Sequence, residues 1–133
     1  MAKLIAGLLV VDGMNVIGSR ADGWWRDRDG AAKRLLARLQ TLASSTGADV
    51  TLVLDGRAPA DLPEGTHGGV AVAYALRAGR DAGDDRIVEL IAALAEPAAV
   101  TVITSDRGLA ERVRALGASV EGAGSLLAQL DRL

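Results

Sequence analysis

The chain has 133 residues, 50% apolar and 24% charged, with a net charge of −2. That balance excludes a disordered protein, and the length suits one domain over residues 1–133 with a hydrophobic core of its own. With no cysteine and one histidine, His67, the sequence excludes disulfides, thiolate metal sites and His-rich zinc sites. Its basic charge is carried by thirteen Arg and only two Lys. Arg is the better residue for two-pronged contacts to phosphate, although an Ala/Gly/Arg-rich style equally reflects genomic base composition. The apolar run Leu4–Val11 is too short for a membrane span, ends in a charge and has no small-residue cleavage site behind it. These features predict a cytoplasmic protein without a membrane partner.

The first element is the apolar run from Leu8 to Val11, which meets Asp12-Gly13-Met14-Asn15. A continuous Val/Leu run predicts a strand buried on both faces, as in a parallel sheet, with Asp12 at its carboxyl end. Ser19–Asp29 reads as a loop carrying Trp24, Trp25, Arg26 and Arg28. A helix is predicted over Gly30–Ser45, capped by Asp27 or Asp29 and stopped by Gly47, with Leu35, Leu36, Leu39, Leu42 and Ala43 on one face. Val50–Leu54 predicts a second buried strand, again running into Asp-Gly at Asp55-Gly56.

Arg57–Gly69, rich in Pro and Gly, predicts a surface loop. A third strand is predicted over Val70–Leu76. A helix over Asp84–Ala95 follows, with Ile87, Leu90, Ile91 and Leu94 inward and Pro97 just beyond it. Val100–Thr104 predicts a fourth strand running into Ser105-Asp106. A helix over Arg107–Leu116 with Leu109, Val113 and Leu116 inward comes next, then a short strand at Ser119-Val120. Ser125 is the expected cap of a last helix with Leu126, Leu127 and Leu130 inward. Alternating strands and helices predict a three-layer α/β/α sandwich with a mainly parallel central sheet.

In a parallel sheet, strand ends of one polarity share an edge, so Asp12, Asp55 and Asp106 are expected at one crevice. Asp81, Asp84 and Asp85 join them from the start of the middle helix. Any one of these is an ordinary cap or turn residue; so many at one edge repel unless a cation neutralises them. Oxygen-only ligands call for a hard divalent ion, Mg2+ or Mn2+. Asn15 adds an oxygen within a turn of Asp12. Arg20, Arg26, Arg28, Arg57, Arg77, Arg80, Arg86 and Arg107 lie near these motifs and are candidate phosphate contacts, although each singly is an ordinary surface charge. Of the adjacent Trp24 and Trp25, one is expected to plug the core and the other to stack on a base, with Trp24 the named candidate.

The motifs V-D-G-M-N-V-I-G, V-L-D-G, D-A-G-D-D-R-I-V-E-L-I and V-I-T-S-D-R resemble the NYN-domain family, in particular its YacP-like branch of PIN-like ribonucleases and RNA-processing proteins. The resemblance spans nearly the whole chain. It implies that Asp12 is the first metal-binding carboxylate and Asn15 its polar partner. Asp84 would open the middle helix as a metal ligand, with Asp81 as a second acid. Asp106 would close the last motif, and Asp55 matches a frequent but less constant member. The sequence has no Phe and few other aromatic residues, so base stacking would rest on few side chains.

The expected activity is metal-dependent endonucleolytic cleavage of single-stranded RNA, with Asp12, Asn15, Asp84 and Asp106 as the catalytic group. RNA, free or on a ribosome, is the expected partner, and the sequence is compatible with a homodimer. The alternative is a non-catalytic RNA-binding or ribosome-associated adaptor of the same fold. A receiver-type domain would require a second acid at strand one and a late lysine, both missing here. A dinucleotide-binding fingerprint would require a glycine spacing that G-M-N-V-I-G lacks.

Overall fold

The structure, a computed structural model, describes residues 7–75 and 82–133. Six strands form one sheet in the order β3-β4-β2-β1-β5-β6. They are β1 (Leu8–Asp12), β2 (Asp49–Asp55), β3 (Gly65–His67), β4 (Val70–Ala75), β5 (Val100–Ile103) and β6 (Ser119–Glu121). All pairings are parallel except β3 with β4. The helices are α1 (Gly13–Gly18), α2 (Arg28–Thr46), α3 (Ala82–Ala92), α4 (Arg107–Ala115) and α5 (Ala123–Leu130).

Alternation along β1 explains the three layers. Leu9 and Val11 point into a core shared with α1, α2 and α5. Val10 points the other way, into a core closed by Ile87 and Ile91 of α3 and Leu109 and Val113 of α4. Both faces of the strand are thus covered, which is why its sequence is continuously apolar. Burying each of these aliphatic side chains contributes about 1.5–3 kcal/mol.

Most predicted elements are present, with boundary shifts of a few residues. Asp27 is the residue that caps α2, its Oδ1 accepting from the Gly30 amide at 3.0 Å. Four differences have physical causes. G-M-N-V-I-G is a short helix and not merely a turn, because Val16 and Ile17 bury against the α2/α5 side. Part of the expected loop over 57–69 is β3, which pairs antiparallel with β4 and places it inside the sheet. α5 begins at Ala123, so Ser125 lies within it; the Ala123 amide instead donates to the hydroxyl of Ser105 at 3.0 Å. Leu116, expected inward, is 37% exposed, because the helix ends at Ala115. Leu76 lies outside the described residues.

Candidate active site at the carboxyl edge of the sheet

β1 has β2 on one side and β5 on the other, so the chain reverses its direction of sheet growth beside β1. Ligands of open α/β sheets bind beyond the strand ends at such a point. β1 ends at Asp12 and β2 at Asp55, while Asp106 follows β5 as the cap of α4. α3 brings Gly83 and Asp84 to the same edge. Asp12, Asn15, Asp55, Asp84 and Asp106 line one cleft of about 240 Å3, with Met14 and Gly83 completing it. Four of the expected carboxylates, Asp12, Asp55, Asp84 and Asp106, thus share one cleft, whereas Asp85 pairs with Arg112 at 3.0 Å. Asp81, Arg77 and Arg80 lie outside the described residues.

Asp12 is 8% exposed and is held by Thr104, whose hydroxyl donates to Oδ2 at 2.8 Å. The same Thr104 oxygen accepts from the Asp106 amide at 3.1 Å, and Asp106 Oδ1 caps α4 by accepting from the Leu109 amide at 3.0 Å. One buried threonine thus links two of the acids. Burial pushes the Asp12 carboxyl above the usual carboxylate range. The Thr104 hydroxyl and the Asn15 backbone oppose that rise, while the charges of Asp55 and Asp106 add to it. Asp55 is raised as well, by its burial, with Arg28 pulling the other way.

Asn15 lines the cleft beside Asp12 and also ties its walls together. Its Oδ1 accepts from the Ser105 amide at 2.8 Å, tying the end of β1 to the loop after β5. At Gly83 a Cβ would meet Asp55 Oδ1, the end of a side chain that can rotate aside. Gly13 is more tightly confined, since a Cβ would come within 2.7 Å of the Val53 carbonyl oxygen and of Leu54. Thr104 carries no acidic or nucleophilic signature. Its only sequence signal is its place directly before Ser-Asp.

The arginines divide into two groups. Arg28 and Arg57 line a hollow continuous with the cleft, and Arg107 lines another on the far side of Asp106. Arg26 is exposed, its guanidinium 6.0 Å from the Trp25 ring centre. Arg20 pairs with Asp131 at 2.8 Å, and Arg86 with Glu64 at 3.5 Å, and neither lines the acidic cleft. Trp24, the expected base contact, is half-buried against the core, whereas Trp25 is 54% exposed. Of the two, Trp25 is the more available for stacking.

The donor set suits a hard cation, being oxygen throughout. Among the described residues, no three acidic or histidine side chains converge closely enough to hold a metal ion directly. Asp81, the fifth acid expected at the metal, lies outside those residues. The arrangement fits a hydrated ion such as Mg2+, which keeps several waters and takes one or two carboxylates.

Residues 9–133 match the family model of the YacP-like NYN domain. The fold is similar to crystal structures of Rae1 (YacP) from Bacillus subtilis. A mutant form gives a TM-score of 0.76 at 27% identity, over 96% of this chain and 76% of the other. A second structure of that protein gives 0.68 at 27% identity, over 94% and 74%. No curated protein matches the sequence.

Proposed function

The chain belongs to the YacP-like NYN domain family, and on that premise we propose that it is a metal-dependent endoribonuclease acting on single-stranded RNA. The NYN domain has a PIN-like nuclease fold, and such families generally use divalent metals. The observation that carries the reading is the single cleft lined by Asp12, Asp55, Asp84 and Asp106. The chain has no cysteine, and its one histidine, His67, lies on β3 with a ring nitrogen 2.6 Å from the Pro63 carbonyl oxygen. Protein nucleophiles and histidine bases are therefore poorly provided, and water activated by a carboxylate-held metal is chemistry these residues can support.

Asp12, Asp84 and Asp106 would hold the ion, directly or through water, with Asp55 at the margin and Asp81 as an added acid. Mg2+ or Mn2+ supplies a water of lowered pKa and positive charge for the phosphate oxygens. The chain's residues set the geometry. Thr104 fixes the Asp12 carboxylate through Oδ2, and Asn15 fixes the loop that carries Asp106. Arg107, next to Asp106, steadies the phosphate. In-line attack by water breaks the bond from phosphorus to the 3′ oxygen, leaving a 5′-phosphate and a 3′-hydroxyl.

Among the described residues no helix is long and apolar enough to cross a membrane. We read residues 1–133 as one domain acting in the cytoplasm, with RNA, free or ribosome-held, as its substrate. The test is cleavage of single-stranded RNA with Mn2+ against chelator, by wild type and Asp12→Asn, on free RNA and on translating ribosomes. Metal-dependent cleavage by wild type alone supports the reading. Wild type indistinguishable from Asp12→Asn in both settings favours a non-catalytic adaptor.

A further inference from the structure

Beside the acidic cleft lies a second hollow of about 260 Å3 that shares Met14 and Asp55 with it. Its character is different. Met14, Leu54, Leu62 and Tyr74 line it with apolar surface, while Arg28 and Arg57 supply positive charge beside the carboxylates of Asp29 and Asp55. Tyr74 is buried, and its hydroxyl donates to the Leu62 carbonyl at 2.7 Å, which makes that wall rigid. Arg28 lies with its guanidinium 5.6 Å from the Trp24 ring centre, and its charge acts on Asp55. The hollow is a little below the range of about 300–1,000 Å3 typical of drug-sized ligands.

An apolar slot of this size with cationic side chains, opening onto a carboxylate cleft, has the chemistry of one unpaired nucleotide. A base has two apolar faces and needs a hydrophobic slot, whereas its phosphate needs guanidinium groups. We propose that this hollow is a nucleobase subsite, holding one unstacked base next to the scissile phosphate, with Arg28 and Arg57 on the adjoining phosphates. The inference rests on the nuclease reading for its choice of RNA as ligand. It adds a physical reason for single-stranded substrates, because a base within a duplex must first unpair and unstack to enter the slot. Met14 then contacts the base where the two hollows meet, its polarisable thioether suited to an aromatic ring.

Methionine provides the test, since the chain has only Met1 and Met14. With methyl-13C methionine in the protein and chelator present to prevent hydrolysis, the Met14 methyl resonance is followed during titration with a trinucleotide RNA. Parallel titrations use uridine and adenosine 5′-monophosphates and ribose 5-phosphate. The base ring current is expected to move Met14 upfield with the RNA and the mononucleotides but not with ribose 5-phosphate. Arg57→Ala, at an exposed position, should weaken the RNA midpoint about tenfold, as loss of a charge-assisted bond implies. Ala32→Leu, which adds bulk at a lining position, should abolish the base-dependent shift. Its own Met14 resonance and melting curve report whether it folds. No shift, or the same shift from ribose 5-phosphate, overturns the subsite. RNA that shifts Met14 but is never cut with metal would instead defeat only the nuclease reading.

Discussion

Asn15 and Ser105 lie 90 residues apart in sequence, yet the Asn15 Oδ1 accepts a 2.8 Å hydrogen bond from the Ser105 amide. The bond bridges the ends of β1 and β5, the two strands whose termini present Asp12 and Asp106. A residue that lines the cleft beside Asp12 thus also holds its opposite wall. Asn15→Ala should lower stability by about 1 kcal/mol, the net worth of an ordinary hydrogen bond. Cleavage should fall much further than stability, because the Asp106 loop loses its anchor. Asn15→Asp keeps an acceptor for Ser105 and should recover most of the melting temperature. Thermal melts in chelator beside rate measurements in Mn2+ separate the two effects.

Asp12 should destabilise the metal-free protein. Its folded-state pKa is raised, chiefly by burial, so the folded state holds its proton more tightly than the unfolded chain does. Stability therefore declines as pH rises above the ordinary carboxylate value of 3.8. Asp12→Asn should melt higher than wild type in chelator at neutral pH. Mg2+ or Mn2+ should raise the wild-type melting temperature, stabilising the folded state by about 2.7 kcal/mol at a hundredfold excess over its dissociation constant. The variant should lose most of that gain, and Asp106→Asn, which keeps an α4 cap, should do the same. Equal metal response in all three proteins would make these carboxylates purely structural.

Gly13 and Gly83 should behave differently when given a side chain. The Cβ of Gly13→Ala meets the backbone oxygen of Val53 in the middle of the sheet, which cannot move cheaply. A loss of about 1–3 kcal/mol is expected, as for other overpacked sites. The Cβ of Gly83→Ala meets the end of the Asp55 side chain, which can rotate aside. That variant should stay folded and change cleavage or metal affinity. Denaturant melts and metal titrations on the pair check the contrast.

At the other side of the molecule Asp131 is held by Arg20 at 2.8 Å and Arg38 at 2.5 Å. Its two arginine partners lower its pKa to about 2. A depressed carboxylate contributes stability above its unfolded pKa, near 3.8, and loses it as pH falls through about 2. Asp131→Asn should therefore melt slightly below wild type at neutral pH, with the gap closing between pH 4 and 2. The effect should be small and weaken with salt, since the pair is exposed. A gap that persists at pH 2 would show that the clamp acts through something other than charge.

The strand-end acids were legible because each follows an apolar run, and a run buried on both faces has no polar alternation to obscure it. α1 was not legible, since six residues are too few to display a helical period and Asp-Gly-Met-Asn reads as a turn. β3 is three residues in a Gly/Pro-rich segment and is stabilised only by pairing with β4. The partners of Asn15, Arg20 and Ala123 come from distant parts of the chain, so local pattern could not assign them. Thr104 was missed for a related reason. A threonine at the end of an apolar strand resembles any other β-branched residue until its hydroxyl is seen on Asp12.

End-group analysis of a labelled single-stranded RNA cut by the wild type in Mn2+ tests the central claim most directly. Water attack at a carboxylate-held metal predicts fragments with 5′-phosphate and 3′-hydroxyl ends, no product in chelator, and none from Asp12→Asn. Cleavage that persists in chelator, or fragments ending in 2′,3′-cyclic phosphate, would contradict it, because the RNA's own 2′-hydroxyl would then be the nucleophile.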